Sequence, residues 1–534
     1  MKIGEFVKKW GPLAVLAITL LLYIPILKVP LISDDYGLVI QVIRNGPFSL
    51  WFGQNTAQPG FVRPLIGLSL WINARQAGAT EPFFYHLTNV LFHLACTWLV
   101  IAIGQAIGRL VKRDLTYSSI AAGLFFGIGC HHPEAVTWIS GRTDVIAGAF
   151  GLGSVLAFLK AIETEDRRFA WGSAVLMGLA LLCKESVLTL PIALTAAGFM
   201  LTGRKGALQS LPILGVFALY LVLRVSLIHT LIGGYGEGIH TDFSPKTLAF
   251  VFQQRMYGMF FPVRYFAQED LFKGGYGVGA LLFLLLPLLV LMKAKERGEK
   301  PIQLGVVLLF LVLTMIPVVN LGESLDGSGE RLNYLPSAFA ALYLLALLDA
   351  WRPKAATLGL VALGIVSGIS LVKANQSWIE AGRVVRGELD GLEDLVRADF
   401  DLDILCMTDT LDGVYVWRNG IDAAIELTYR KPRRLSLPMR MVNARKGDRL
   451  RFEDATPDGV TLFADPIPEP HLHPVVFVPH LFDKERYDCK GFGESRVRLN
   501  ILNPDPRRFN VILLNGEVLL LPSSIPSQQS AKVD

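Results

Sequence analysis

Apolar blocks, many of them close to the length of a bilayer crossing, fill residues 11 to 373, and no other feature limits the fold so strongly. A hydrocarbon core about 30 Å thick takes about 20 apolar residues of helix. Blocks that reach or approach this length run over 11–31, 85–108, 117–131, 144–161, 169–183, 186–202, 208–231, 275–293, 303–321, 333–351 and 355–373. The composition agrees, because only 18% of the 534 residues are charged, against about 25% in ordinary soluble domains. Charge, proline and short alternating runs take over from about residue 375. The chain is therefore predicted to be a polytopic α-helical membrane protein with about eleven spans over residues 1–374. A C-terminal soluble domain, β-rich or mixed α/β, is expected over 375–522, with a disordered tail over 523–534.

Orientation follows from the basic residues, which favour the cytoplasmic side. Lys2/Lys8/Lys9, Arg109/Lys112/Arg113, Lys160/Arg167/Arg168, Arg204/Lys205, Lys293/Lys295/Arg297/Lys300 and Arg352/Lys354 all fall on one side if the blocks alternate. Residues 247–266 are apolar but carry Gln253, Gln254, Arg255 and Arg264. Counting them as a span would move the Lys293–Lys300 cluster to the wrong side, so they are read as an interfacial or re-entrant element. The first block lacks a small-residue cleavage site and runs into Ser33-Asp34-Asp35, which predicts a retained anchor. The N-terminus is then cytoplasmic and the C-terminal domain extracytoplasmic. Segments 32–84, 131–143, 232–274 and 322–332 share the outer face, joined there by the 183–186 turn.

The net charge of +5 comes without a Lys/Arg tract, so no nucleic-acid partner is expected. Five cysteines show no metal-ligand spacing, and Cys406 with Cys489 could pair only in an oxidising compartment.

Most of the chemically notable residues lie on the outer face. Asp34 and Asp35 follow the first block directly. Adjacent carboxylates at a membrane surface hinder each other's ionisation, and a general base needs a carboxylate whose pKa and position are set by such surroundings, although such a pair also serves as a helix cap and interfacial anchor. His86, Asn89 and His93 lie at i, i+3, i+7, on one helical face. A polar stripe in a span faces a cavity or bonds a neighbouring helix. His131, His132 and Glu134 are poorly arranged for a metal, because neighbouring histidines seldom face one ion and Pro133 restricts the turn. Glu134, Arg142 and Asp144 suit a charged network or contacts to sugar and phosphate. Lys184 precedes Glu185 at a turn, where it can pair with a carboxylate or hold a phosphate. Glu330 and Arg331 enter the tenth block from outside, and an outer Arg opposes the charge bias, which suggests an anionic partner.

In order, these segments resemble a known family. The set is Asp34-Asp35, Arg63-Pro64-Leu65, Tyr85-His86-Leu87-Thr88-Asn89-Val90-Leu91-Phe92-His93, His132-Pro133-Glu134-Ala135-Val136, Gly141-Arg142-Thr143-Asp144, Lys184-Glu185 and Glu330-Arg331-Leu332-Asn333-Tyr334-Leu335-Pro336. It is similar to the GT-C fold glycosyltransferases related to the transmembrane-and-TPR protein O-mannosyltransferases and their bacterial relatives. The resemblance covers roughly residues 10 to 375, and the tail shows no 34-residue helical repeat of the TPR type.

The resemblance implies a polyprenyl-phosphate monosaccharide donor, mannose-like, and a protein or glycan acceptor hydroxyl arriving from outside. Asp35, with Asp34 as neighbour or alternative, is expected to take the hydroxyl proton in one inverting displacement. Arg331, Lys184 and Arg142 are expected, in that order, to hold the leaving phosphate. Arg63, His86, His93, Glu134, Asp144, Glu185, Glu330 and Tyr334 would shape the cavity or bind sugar. The scheme requires no cofactor, though a divalent ion at Asp34 and Asp35 is compatible with it. A bacterial inner membrane is the expected location. A glycan polymerase or ligase, or a lipid-linked glycan transporter, remains the rival, although no clear internal repeat of the transporter kind is visible.

In the tail, Trp378, Val385, Leu389, Leu392 and Leu395 predict an amphipathic helix over 375–400. Runs rich in β-formers follow at 403–407, 414–417, 459–463, 475–478, 496–501 and 509–521, with turns at Asn419-Gly420 and Asn515-Gly516. This domain either binds acceptor or glycan, or caps the outer loops.

Overall fold

A computed structural model describes residues 3–50, 60–229, 244–263, 281–296, 302–319, 329–351, 353–398, 401–431, 437–442, 449–456, 459–465, 475–481, 484–502, 508–514 and 516–521, with a few single residues between. The expected tail over 523–534, Asn515, and most of the outer segments 232–274 and 322–332 lie outside the described residues.

Among the described residues, seven helices are long and apolar enough to cross a membrane: Gly4–Lys28, Phe83–Leu110, Ile139–Thr164, Glu185–Thr202, Leu211–Ile228, Glu330–Asp349 and Thr357–Arg397. Each covers one of the expected spans. At 1.5 Å per residue the 28-residue Phe83–Leu110 helix is about 42 Å long, enough to cross with some tilt. The other four expected spans fall on shorter helices, among them Thr116–Gly127, Arg167–Leu181 and Leu286–Glu296. The fourth is the apolar Ile302–Val318. A 12-residue helix rises only about 18 Å, so length alone accounts for seven crossings and leaves the expected count of eleven open. The interfacial reading of 247–266 corresponds to the 16-residue Pro245–Phe260 helix, which buries Gln253, Gln254 and Arg255.

The last crossing does not end at the membrane surface. Pro353–Arg397 is one helix of 45 residues, so the amphipathic stretch is the continuation of the span. Trp378, Val385, Leu389 and Leu392 are buried along it and Leu395 is half-buried. They pack toward a strand-rich domain, whose central strand is buried on both faces. Its strands are β1 (Asp401–Thr408), β2 (Thr410–Leu411), β3 (Val414–Tyr415), β4 (Leu437–Val442), β5 (Arg449–Thr456) and β6 (Gly459–Asp465). They continue as β7 (Val476–Leu481), β8 (Tyr487–Lys490), β9 (Arg496–Ile501), β10 (Arg508–Leu514) and β11 (Glu517–Leu520). Among the described residues, one sheet has the order β11-β10-β1-β4-β7, with β1 parallel to both neighbours, a second is the antiparallel β2-β3 pair, and a third has the antiparallel order β5-β6-β9-β8. The Ile421–Tyr429 helix packs against the long Pro353–Arg397 helix and against the Asp34–Asn45 helix that follows the first span. Cys406 and Cys489 are not joined, and all five cysteines are free.

Candidate active site

The two acidic residues after the first span open the Asp34–Asn45 helix, where carboxylates favour the helix N-terminus. Ser33 precedes them at φ 53°, a conformation that costs a non-glycine residue about 1–3 kcal/mol. The turn sends the two side chains into different surroundings. Asp35 is 1% exposed, and its carboxylate accepts from Ile32 N at 3.0 Å, Ser140 N at 2.8 Å and Ser140 Oγ at 2.5 Å. Burial pushes Asp35 up to about 7; the Ser140 and Ile32 hydrogen bonds oppose this and the Asp34 charge adds to it. Asp35 therefore ties the segment after the first span to the 131–143 segment.

Asp34 is half-buried and meets the C-terminal domain. Asn419 donates from Nδ2 to Asp34 Oδ1 at 2.7 Å, and the Asn419 backbone N–H donates to Ser33 Oγ at 3.3 Å. Tyr36 stacks on Trp417 with ring centroids 6.0 Å apart. Gly420, at φ 87°, lies so close that a Cβ would stand 2.5 Å from Ser33 O. Partial removal from water raises the Asp34 pKa; Asn419, Arg331 and Arg418 pull it down, and Asp409 pushes it up.

The 131–143 segment is held by the polar stripe of Phe83–Leu110. Asn89 donates to Val136 O at 3.1 Å and Trp138 O at 3.0 Å. His86 Nε2 is 2.8 Å from Val29 O, and His93 bonds Tyr334 Oη at 2.7 Å and Gly127 O at 2.9 Å. All three residues are at most 1% exposed, so the stripe joins helices and loops rather than lining an open cavity. Gly141 belongs to the same turn, where a Cβ would lie 2.2 Å from Glu134 O.

Arg142 is fully buried and donates to Ile139 O, Ser69 Oγ, Asn73 Oδ1 and Tyr85 O at 2.9–3.2 Å. Its donors are thus engaged inside the protein. Lys184 Nζ lies 2.6 Å from both oxygens of Asp144, with both residues buried. Arg63 pairs with Glu185 at 2.7 Å and stands 3.9 Å over the Phe61 ring. These groups form a buried electrostatic frame below the loops.

Arg331 sits differently. Its backbone N–H and that of Gly329 donate to Glu134 at 2.9 and 3.0 Å, its guanidinium pairs with the same carboxylate, and its side chain remains 20% exposed. Neighbouring Glu330 is 2.9 Å from His131 Nδ1. The Arg331 guanidinium lies 5.0 Å over the Trp138 ring, Trp138 meets Tyr415 edge-on at 5.3 Å, and Arg418 lies 4.0 Å over Tyr415. Arg418 and Arg440 both pair with the buried Asp409, at 2.7 and 2.9 Å. A cation–aromatic ladder thus runs from Arg331 into the C-terminal domain, with Asp34 in the field of the guanidinium at each end.

Ser140, Trp138, Tyr415, Arg418 and Asn419 were not singled out as site residues from the sequence. Asn419-Gly420 was legible only as a turn. A single Arg inside an apolar run is a stronger signal, and Arg224 is such a case, buried beside Tyr220 at 3.4 Å. Among the described residues, no group of three or more His, Cys, Asp and Glu side chains is arranged to hold a metal.

The fold and site define a multi-pass helical membrane protein in which the loops between helices and a strand-rich domain meet around an acid flanked by arginines. No protein-family model matches the chain. It is similar to the protein O-mannosyl-transferase TMTC2 of Homo sapiens, 37% identical over 132 residues, 24% of this chain and 15% of that protein. Tmtc1 of Drosophila melanogaster is 36% identical over 137 residues, 24% of this chain and 14% of that protein. The chain thus matches only about one seventh of the length of these relatives, and the kinship its motifs indicate is borne out over that segment. Among solved structures, the apo oligosaccharyltransferase of Archaeoglobus fulgidus has a TM-score of 0.45 at 12% identity, covering 81% of this chain and 65% of that one.

Proposed function

We propose that this chain is a membrane glycosyltransferase. It would move a mannose-like sugar from a polyprenyl-phosphate donor to the hydroxyl of a protein or glycan acceptor on the outer face of the membrane. The observation that carries the reading is Asp34, a half-buried carboxylate in the field of Arg331 and Arg418, in a chain similar to named protein O-mannosyl-transferases.

Asp34 takes the role of base in this reading. Its Oδ1 holds the Asn419 hydrogen bond, whereas Asp35 already accepts three hydrogen bonds and is sealed from solvent. Asp34 removes the acceptor hydroxyl proton as the acceptor oxygen forms a bond to the anomeric carbon. The bond from that carbon to the phosphate oxygen breaks, and its electron pair leaves with the lipid phosphate. Attack opposite the leaving group inverts the anomeric centre. Arg331, partly exposed, is better placed than Lys184 or Arg142 to meet the phosphate charge. Arg63, His86, His93, Glu134, Asp144, Glu185, Glu330 and Tyr334 form the frame that keeps the loops in register.

The reading places the protein in a bacterial inner membrane, with a cytoplasmic N-terminus, a membrane domain over 1–374 and a periplasmic domain over 375–522. The test is sugar transfer from a panel of short-chain polyprenyl-phosphate monosaccharides to lysate of a strain lacking the gene, using wild-type, Asp34→Asn and Asp35→Asn protein in lipid. Loss of a positioned base lowers the rate about 10²–10⁴-fold, and that loss is expected for Asp34→Asn. Full activity in Asp34→Asn would move the base elsewhere. No transfer by folded wild type from any donor would overturn the transferase reading.

A further inference from the structure

We propose that the C-terminal domain completes the catalytic centre, with Asn419 as the positioning residue that orients the Asp34 carboxylate. The inference rests on the transferase reading and adds to it a role for the domain that the relatives' names do not supply.

Asn419 stands at the end of a rigid segment. Ahead of it, Val416 N donates to Asp409 O at 2.8 Å and Trp417 N to Thr408 O at 3.0 Å, fixing the segment to β1 and the turn after it. The Trp417 indole N–H bonds Glu388 on the long Pro353–Arg397 helix. Behind it, Gly420 leads into the Ile421–Tyr429 helix, where Glu426 pairs with Arg44 of the Asp34–Asn45 helix. The loop therefore reaches the acid from a supported framework, as precise placement of a functional group requires.

The contact itself is directional. The Asn419 amide donates to one oxygen of Asp34, and its backbone N–H donates to Ser33 Oγ, so the loop grips both the acid and the turn before it. Among the described residues, no hydrogen-bond donor engages Asp34 Oδ2. One oxygen is thus anchored while the other is left to accept a proton. The charged groups acting on Asp34 are Arg331 from the outer loop, Arg418 and Asp409 from the C-terminal domain, and Asp35 beside it. Asn419 is a neutral donor among them, so replacing it changes orientation and hydrogen bonding without removing a charge.

The experiment uses full-length protein in lipid nanodiscs, with Asn419→Ala, Asn419→Asp and Asn419→Gln beside wild type. Transfer is measured across pH with the donor the wild type accepts, and the protonated carboxyl stretch is titrated by infrared difference against Asp34→Asn. Loss of the donor favours the protonated acid, so the acid limb of kcat/KM should move to higher pH in Asn419→Ala. It should move further in Asn419→Asp, where a second carboxylate faces Asp34, and kcat should fall by up to about 100-fold from misplacement of the base. Asn419→Gln, which keeps an amide donor, should recover part of both effects. Variants with wild-type kcat, acid limb and infrared titration would overturn the proposal. So would a uniform loss of rate with an unmoved acid limb and infrared titration, because that is what a merely structural loop gives. If the wild type transfers no sugar, the transferase reading fails by itself, and the infrared titration still reports whether Asn419 governs Asp34.

Discussion

Asp35 is buried with an ionisation held up to about 7, and this sets the pH dependence of stability. In the unfolded chain an Asp titrates near 3.9. Below that pH the residue is protonated in both states and its neutral form sits in the fold without penalty. As pH rises toward 7 the unfolded chain ionises freely while the folded protein holds its proton, so stability falls through this window and levels off above it. A separation of about three pH units corresponds to about 4 kcal/mol lost between about pH 4 and pH 7. Asp35→Asn removes the titration and keeps an oxygen that can accept from Ser140. The assay is thermal unfolding by intrinsic fluorescence in nanodiscs at pH 4 to 8, read as the difference between wild type and Asp35→Asn, so that other carboxylates cancel. The wild type should lose Tm relative to the variant as pH rises to 7 and then run parallel to it. Asp35→Ala should be less stable than Asp35→Asn at every pH, because neither titrates and in Ala the Ile32 N, Ser140 N and Ser140 Oγ donors lose their acceptor at about 1–3 kcal/mol each. Parallel Tm curves for wild type and Asp35→Asn from pH 4 to 8 would refute the reasoning.

Gly420→Ala places a Cβ 2.5 Å from Ser33 O at φ 87°, so the 417–420 loop should lift from the acidic turn and limited proteolysis of the C-terminal domain should accelerate. Unchanged cleavage would show that the loop is not clamped there. For the buried Lys184–Asp144 pair, Lys184→Met should cost about 3–5 kcal/mol by leaving a buried charge, and Lys184→Met with Asp144→Leu should cost less. The Tm values of the two variants decide, and equal losses would argue against an uncompensated charge.

The helical face of His86, Asn89 and His93 was legible because a 3.6-residue period puts them together whatever surrounds them. Its purpose was not, since a cavity lining and an interhelical seam have the same pattern. Only the carbonyls of Val29, Gly127, Val136 and Trp138 show that the seam is what forms. Arg331 stands out in the sequence as a cation expected to meet an anionic partner, but Glu134 groups there with Arg142 and Asp144, and only the fold shows that Glu134 is the carboxylate Arg331 pairs with. The ladder through Trp138 and Tyr415 to Arg418 was invisible, because it joins segments that are remote in the chain. In the tail, β1, β3, β6, β7, β9, β10 and β11 fall on the expected β-rich runs, whereas β5 and β8 carry too many polar residues to announce themselves and β4, with Pro438 and two Met, lacks β-branched and aromatic residues apart from Val442.

Hydropathy adds residue by residue, so the sequence alone determined that this chain is a multi-pass membrane protein with a separate strand-bearing tail. Lys and Arg counts predict its orientation in the same additive way. The choice between two adjacent carboxylates is not additive. Asp34 and Asp35 differ by one position, yet Asp35 meets Ser140, 105 residues away, and Asp34 meets Asn419, 385 residues away. Proton affinity and availability depend on which donors and charges surround a carboxylate and how much water reaches it. Those surroundings exist only once the loops between helices and the C-terminal domain have come together, and so the tertiary structure decided which acid is sealed and which is presented.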